Sequence, residues 1–120
     1  MEAVKALQDL RSMLMVGDNV RIHDLLEYDE KNEQETKNKI EQFRKEFAER
    51  QGSVYNYMGI LELAKFYLDE EIISIEQFKD QFGYRVENLY ANPLINSWLT
   101  NYPCYWNTLN SLNEIMLNDK

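Results

Sequence analysis

The sequence predicts an all-α protein, a compact irregular bundle of five to seven short helices. Along most of the chain, apolar residues recur at spacings of three and four, the period of one face of an α-helix. No window alternates apolar and polar residues at period two for long enough to predict a β-strand. The chain has only 4 Gly and 2 Pro among 120 residues, which argues against low-complexity chains and against β architectures with many turns.

The first two helices are predicted on either side of Gly17. Residues 2–16 carry a single apolar stripe, and a glycine directly after such a stripe favours the end of a helix. The second helix is predicted over residues 20–28, with the side chain of Asp18 or Asn19 as its N-cap.

The next two helices are predicted to meet at Gly52. The third begins at about Glu33 and starts in solvent, since residues 29–39 contain no large apolar side chain. Gly52 is expected to end it, and Ser53 to cap a fourth helix over residues 54–70, the most apolar stretch. A helix that is apolar over so much of its circumference is normally central to a bundle.

The fifth helix is predicted over residues 75–91. Ser74 and Gln77 have the spacing of a capping box, in which each side chain bonds the backbone of the other residue. Gly83 costs about 1 kcal/mol inside a helix, which leaves both a break near residues 82–84 and a continuous helix open.

Prolines open the last two predicted helices. Asn92 and Pro93 read as an N-cap and a first-turn proline, which predicts a short helix over residues 93–100. Pro103 repeats this device and predicts a final helix over residues 103–117.

The length favours one domain over residues 1–120. Within it we distinguish charged N-terminal helices over residues 1–52 from an aromatic-rich helical core over residues 53–120. Residues 1–50 hold 12 acidic and 9 basic side chains, whereas residues 51–120 hold 9 acidic and 4 basic ones. The second part is therefore sparser in charge and more uniformly negative.

The net charge of −8 narrows the class of partner. An acidic protein is repelled by phosphate backbones and by anionic membrane surfaces, so we expect no direct binding to nucleic acid. No apolar run approaches the roughly 20 residues that span a bilayer, and the first residues do not resemble a secretory signal. The single Cys104 excludes an internal disulfide and a cysteine-based zinc site. These features predict a cytoplasmic protein without a membrane span.

Candidate reactive residues are few. His23, the only histidine, shares a helix face with Glu27, but a metal site needs three or four ligands, so we expect a surface or partly packed histidine. Glu62, inside the most apolar helix, is either a buried acid–base group or a partner for a tyrosine hydroxyl or Arg85. Cys104 has no histidine near it in sequence and is expected to pack as a small apolar residue. We predict no catalytic residue, no cofactor and no metal.

A cluster of tyrosines and tryptophans in the second part predicts a binding surface. Such side chains dominate the energetics of protein interfaces, and a chain this small cannot bury all of them. An acidic run at a predicted helix end is either a solvated terminus or an adjoining patch for a basic partner. The predicted partner-binding residues are Tyr84, Tyr90, Trp98, Tyr102, Tyr105 and Trp106, together with Asp69, Glu70 and Glu71.

Several packing motifs carry a family resemblance. They are Gly59-Ile60-Leu61-Glu62-Leu63-Ala64, Glu71-Ile72-Ile73-Ser74, Phe82-Gly83, Pro93-Leu94-Ile95 and Pro103-Cys104-Tyr105-Trp106. Over about residues 53–115 the chain resembles the bacterial and phage family called domain of unknown function 4760. The resemblance implies an all-helical fold and no established activity, so it implies no catalytic residues.

Three function classes remain open on the sequence. The first is a small non-enzymatic protein–protein interaction module, which accounts for the acidity and the surplus aromatics. The second is an inhibitor, encoded by a phage or mobile element, that mimics nucleic acid and occupies a nucleic-acid-binding protein. The third and least favoured is a small enzyme that uses Glu62 or His23. Exposed aromatics, together with Met13, Met15 and Met58, also predict a homo-oligomer.

Overall fold

Six α-helices make up the computed structural model, which describes residues 2–119. They are α1 (Glu2–Leu14), α2 (Asp18–Leu26), α3 (Glu33–Asp69), α4 (Ile75–Ala91), α5 (Pro93–Asn101) and α6 (Asn107–Asn118). No strand lies in this part of the chain. The prediction of an all-α bundle is confirmed, although α3, with 37 residues, is much longer than the short helices expected.

The long helix α3 is the element around which the others pack. It contacts α1, α2, α4 and α6. A straight helix of its length would measure about 55 Å, whereas the molecule extends 40 × 30 × 28 Å along its principal axes. α3 therefore does not run straight along the longest axis of the molecule.

The predicted helix end at Gly52 is wrong, because α3 continues through Gly52 and Ser53. Buried Phe43, Val54 and Leu61 are separated by 11 and 7 residues, which are close to whole numbers of helical turns. One buried stripe thus runs in phase across Gly52, which itself lies on the exposed face. The cost of about 1 kcal/mol for a helical glycine is smaller than about 1.5–3 kcal/mol for each large apolar side chain that the stripe buries.

The start of α2 also differs from the prediction. Asp18 is its first residue and not its cap, and the helix ends at Leu26, two residues earlier than expected. Gly17 precedes it with a φ of 53°, in the left-handed region that suits glycine. The Nδ2 of Asn19 instead donates to the carbonyl of Met13 at 2.9 Å, which ties α2 to the end of α1.

An ionic network then joins α2 to α3. Arg50 of α3 bonds both Asp18 and Glu46, and Arg21 of α2 bonds Glu46. These bonds, with one from Gln42, lower the pKa of Glu46 to about 2. The side chain of Ser53, expected to cap a helix, bonds Asp18 and lowers the pKa of that carboxyl.

α3 ends in a Schellman motif, the reverse turn in which two amides bond back onto the last carbonyls of a helix. The Ile72 N–H donates to the carbonyl of Tyr67 at 2.9 Å, and the Glu71 N–H donates to that of Leu68 at 3.1 Å. Glu71 occupies the left-handed position with a φ of 57°. A glutamate therefore stands where this motif usually has glycine.

The capping box of α4 is confirmed. The Ser74 N–H donates to Gln77 Oε1 at 2.8 Å, and the Gln77 N–H donates to Ser74 Oγ at 3.1 Å. No break is present near residues 82–84, since α4 is continuous. A Cβ at buried Gly83 would meet Cε of Met116 at 3.4 Å, an ordinary van der Waals distance to the end of a flexible side chain.

The cap of α5 is also confirmed, but the predicted final helix begins too early. Asn92 accepts hydrogen bonds from two first-turn amides of α5. Pro103 opens only a single turn, which the Trp106 N–H closes by donating to the carbonyl of Tyr102 at 3.1 Å. The helical ladder restarts at Asn107 because Trp106 turns its ring into the core.

The core draws buried residues from all six helices and is rich in aromatic residues. Its largest fully buried side chains are Tyr57, Phe43, Phe78 and Phe82. Within residues 2–119, no helix combines the length and the apolar character that crossing a membrane requires.

Candidate functional site

An open cleft lies where α3, α5 and the turn before α6 meet. Its volume is about 370 Å³. The side chains that line it are all aromatic: Tyr55, Trp98, Tyr102, Tyr105 and Trp106. We call this site the aromatic cleft.

The rings of the aromatic cleft form a connected series with Phe47 of α3. The Trp98 ring lies 4.6 Å from that of Phe47 and 5.2 Å from that of Tyr55, centroid to centroid. Trp106 lies 5.7 Å from Tyr55 and 4.9 Å from Tyr105. Neighbouring rings are inclined by 47–79°. Two of these contacts, Trp98 with Tyr55 and Trp106 with Tyr105, are edge-to-face, and each such contact contributes about 0.5–1.5 kcal/mol beyond burial.

The cleft has a fixed floor and exposed walls. Trp106 is only 5 % exposed and Trp98 is half-buried, so both are held by the core. Tyr102 and Tyr105 are 63 % and 73 % exposed. Large aromatic faces therefore stand open to solvent beside a rigid base, an arrangement typical of binding sites.

Asparagine side chains fix the segments that carry these rings. Nδ2 of Asn96 donates to the carbonyl of Tyr90 at 2.8 Å, which joins α5 to α4. Nδ2 of Asn110 donates to the carbonyl of Leu99 at 3.2 Å, which joins α6 to α5. The Tyr90 hydroxyl donates to Oδ1 of Asn110. These bonds join α4, α5 and α6, on either side of the turn at residues 102–106, and none of them uses a charged group.

Four of the five residues that line the cleft come from a stretch of sequence without charge. Residues 88–113 contain no Asp, Glu, Lys, Arg or His, although the whole chain carries a net charge of −8. Depletion of charge together with enrichment in aromatics characterises the cores of protein interfaces. The sequence contains this uncharged run, but comparing only the total charges of residues 1–50 and 51–120 misses it.

The structure brings together four of the six predicted aromatic residues. Trp98, Tyr102, Tyr105 and Trp106 line one cleft. Tyr55, the fifth lining residue, was not predicted, since it lies on α3, far away in sequence. Only the tertiary packing of α3 against α5 and the turn makes it a neighbour of Trp98.

Tyr90 does not line the cleft. Its ring is half-buried and its hydroxyl is engaged with Asn110, and burial, with the charge of Glu114, raises the pKa of Tyr90 to about 12. Tyr90 therefore positions α6 against α4.

Tyr84, also predicted to bind a partner, lies in a different cluster, with His23 and Arg85. Its ring is 5.9 Å from that of His23 and 5.6 Å from the guanidinium carbon of Arg85. Arg85 is 6 % exposed, and its one side-chain hydrogen bond in the described chain is to the Tyr57 hydroxyl, at 3.1 Å. Its Nε has no partner in this part of the chain. The tyrosine faces thus supply the cation–π contact that a buried cation without a carboxylate needs.

His23 is partly packed, as expected. Its Nε2 lies 3.5 Å from a carboxylate oxygen of Glu27. Burial, followed by the charge of Arg85, nevertheless lowers the pKa of His23, and Glu27 opposes this shift.

Glu62 is half-buried, and burial raises the pKa of its carboxyl while hydrogen bonding with the backbone of Leu109 opposes the rise. The expected bond to Arg85 does not form, since Arg85 donates to Tyr57. Cys104 was expected to be packed, and this is wrong: it is an exposed free thiol in the turn between Tyr102 and Tyr105.

The acidic run Asp69, Glu70 and Glu71 is exposed at the end of α3, apart from the aromatic cleft. Asp69 pairs with Lys65 of the preceding turn at 2.7 Å. In the described part of the chain, no group of three or more His, Cys, Asp or Glu is arranged to hold a metal ion.

No protein-family model matches the chain, and no curated protein or solved structure is found to match it. The resemblance to domain of unknown function 4760 therefore stays a prediction.

Proposed function

We propose that this protein is a small acidic protein–protein interaction module without catalytic activity, and that it binds its partner through the aromatic cleft. The observation that carries the proposal is a fixed tryptophan floor with exposed tyrosine walls, lined by aromatic side chains alone. Tyr and Trp give large contact areas at low entropic cost and are the usual hot spots of interfaces.

Two further expectations belong to the same proposal. The module acts in the cytoplasm, where an exposed thiol such as Cys104 stays reduced. It belongs among bacterial or phage proteins that resemble domain of unknown function 4760.

Photo-crosslinking in the cell that produces the protein tests the proposed surface. The photoreactive residue p-benzoylphenylalanine replaces Tyr105 in one variant and Phe66 in another. Both positions are exposed aromatics, but only Tyr105 lines the cleft. We expect an adduct with one partner protein from position 105 and none from position 66.

The partner identified in this way is then purified and titrated against variants. Tyr102→Ala and Tyr105→Ala are expected to weaken binding by about tenfold or more each, as is typical of hot-spot residues. Phe66→Ala is the matched control and is expected to bind as the unaltered protein does. Equal binding by the cleft variants, or equal adducts from both positions, would refute the proposed function.

Mimicry of nucleic acid remains the second candidate because the net charge is −8. Several carboxylates of the first half are already paired with Arg21, Arg44 or Arg50, which leaves fewer of them to stand in for phosphates. A mimic would lose its partner on amide substitution of the acidic run 69–71 and would tolerate Tyr102→Ala. The interaction module that we propose has the reverse pattern.

A small enzyme is the third candidate. Neither His23 nor Glu62 lines the aromatic cleft. If an activity is found, the double variant His23→Gln and Glu62→Gln decides whether these residues supply it.

A further inference from the structure

The chemistry of the aromatic cleft narrows the choice of occupant. We infer that the cleft binds a proline-rich segment of the partner protein, in the polyproline II conformation and flanked by Lys or Arg. This inference rests on the proposed function and adds the chemistry of the partner to it.

The lining selects flat apolar groups. All five lining side chains are aromatic, and the walls formed by Tyr102 and Tyr105 leave most of their ring faces open. Proline rings pack flat against such faces, and grooves lined by aromatics are the general receptors for polyproline II segments.

The free hydrogen-bond donors of the cleft select exposed carbonyls. In the described chain, the Nε of Arg85 is the only fully buried side-chain nitrogen or oxygen without a partner. The indole N–H groups of Trp98 and Trp106, which bond no protein acceptor there, therefore reach solvent. An indole N–H can only donate. A polyproline II segment has no internal hydrogen bonds, so its carbonyls are free to accept, whereas those of a helix are already used.

Charge then determines which part of the ligand enters the cleft and which part stays outside. None of the five lining residues carries a charge, so a charge that entered the cleft would give up hydration without a counter-charge among them. The rest of the molecule accounts for the net charge of −8 and attracts cations over longer distances. An uncharged segment with basic flanks satisfies both conditions.

The small size of the cleft favours a rigid ligand. A volume of about 370 Å³ accommodates only a few residues, so little affinity is available to offset the ordering of a flexible chain. Polyproline II segments are already extended before they bind and lose less conformational entropy.

Intrinsic fluorescence can report binding without a label, because the only two tryptophans of the chain both line the cleft. The probe is a synthetic peptide of eight prolines with two arginines at each end. One comparison peptide keeps the arginines and has a Gly-Ser core of equal length. The other keeps the prolines and has glutamates in place of the arginines.

We expect the basic proline peptide to change the tryptophan fluorescence saturably. The Gly-Ser peptide should bind about tenfold more weakly or worse, because it is flexible and lacks rings. The glutamate-flanked peptide should also bind more weakly at low salt, and the difference from the arginine-flanked peptide should shrink as salt screens the flanks.

Variants locate the binding. The double variant Tyr102→Ala and Tyr105→Ala should lose at least about tenfold in affinity for the basic proline peptide, since both rings form the walls. Phe66→Ala should leave the affinity unchanged. Circular dichroism confirms that each variant is folded, and we expect it to be, because both tyrosines are exposed.

Four results would overturn the inference. They are the absence of saturable binding by the basic proline peptide, equal binding by the Gly-Ser peptide, unchanged binding by the double variant, and a cleft already filled by a second copy. Light scattering detects that last state as a dimer that the double variant abolishes.

These failures are distinguishable from failure of the proposed function. Suppose that binding of the crosslinked partner depends on Tyr102 and Tyr105 while the proline peptide does not bind. The proposed interaction module is then supported, and the inference of a proline-rich ligand is refuted. If that partner is indifferent to both tyrosines, the proposed function itself falls.

Discussion

Glu71 adopts a backbone conformation that costs most side chains free energy. Among residues 2–119 it is the only non-glycine residue with a positive φ, 57°. For an L-residue with a Cβ, the left-handed conformation costs roughly 1–2 kcal/mol, and a negative charge at a helix C-terminus opposes the helix dipole. The hydrogen bonds of the Schellman motif offset this cost.

We therefore expect Glu71→Gly to raise the free energy of unfolding by about 1 kcal/mol. Guanidinium denaturation followed by circular dichroism measures the change. Glu70→Gly is the matched control: its φ is −86°, so glycine there brings no such relief. If Glu71→Gly is no more stable than the unaltered protein, the strain is absent.

His23 is expected to make stability depend on pH near neutrality. Burial and the Arg85 charge lower its pKa in the folded state below the ordinary value of 6.5. The unfolded chain then binds the proton more readily, so stability falls as pH drops through about 6.5 and levels off below the folded pKa.

Substituting His23 by Gln should remove this contribution. We expect the free energy of unfolding to fall less between pH 7.5 and pH 5.5 in the variant than in the unaltered protein. Denaturant titrations at the two pH values give the comparison. Glu62 also has a shifted pKa, but its contribution is the same in both proteins and cancels in the difference. Equal losses would show that His23 titrates as it does in the unfolded chain.

Residues with local partners were predictable, and residues with distant partners were not. Ser74 and Asn92 cap helices through atoms two or three positions away, so the sequence displays both partners. Asp18 looks like a cap in the sequence, but its partner Arg50 lies on another helix. The role of Glu62 could not be decided from the sequence for the same reason, because its hydrogen-bond partner, the backbone of Leu109, lies on another helix.

At the level of elements, the continuity of α3 leads to a prediction about Gly52. It is exposed inside a helix, and a Cβ there would meet no atom within 4 Å. Gly52→Ala should therefore stabilise the protein by about 0.5–1 kcal/mol, because alanine loses less backbone entropy.

Gly83→Ala is the buried counterpart, because its new Cβ would meet Cε of Met116 at 3.4 Å, an ordinary van der Waals distance. We expect a gain there as well, since the added methyl group makes contact without a clash. Thermal melts of both variants test the pair. A destabilising Gly52→Ala would mean that α3 needs a glycine at this point, for example to bend.

Helix boundaries were predicted where a local signal dominates and missed where packing decides. The sequence already shows that the apolar stripe continues in phase across Gly52. The prediction gives more weight to Gly52 and Ser53, which are residue types typical of a helix end and a helix cap. The start of α6 depends on where the Trp106 ring packs, which cannot be deduced from Pro103 alone.

At the level of the whole molecule, the contacts of α3 predict cooperative unfolding. α3 packs against helices on both sides and also supplies Tyr55 to the cleft. We expect tryptophan fluorescence, which reports the cleft, and circular dichroism, which reports the helices, to give the same denaturation midpoint. A fluorescence transition at lower denaturant would show that the cleft opens on its own.

The fold class could be predicted from the periodicity of apolar residues, whereas the residues of the aromatic cleft could be predicted only in part. Aromatic residues close together in sequence, such as Trp98 to Trp106, pointed to a shared surface. The assignment of Tyr84 and Tyr90 to other clusters, and the addition of Tyr55, depend on how separate helices pack.

The division between floor and walls in the cleft has a consequence for evolution. Trp98 and Trp106 are anchored by the interior, so selection for folding constrains them. Tyr102 and Tyr105 stand outside the core, so folding does not hold these two positions to tyrosine. A lineage can thus change what it recognises by altering a few side chains of one short turn, while the scaffold beneath is inherited intact.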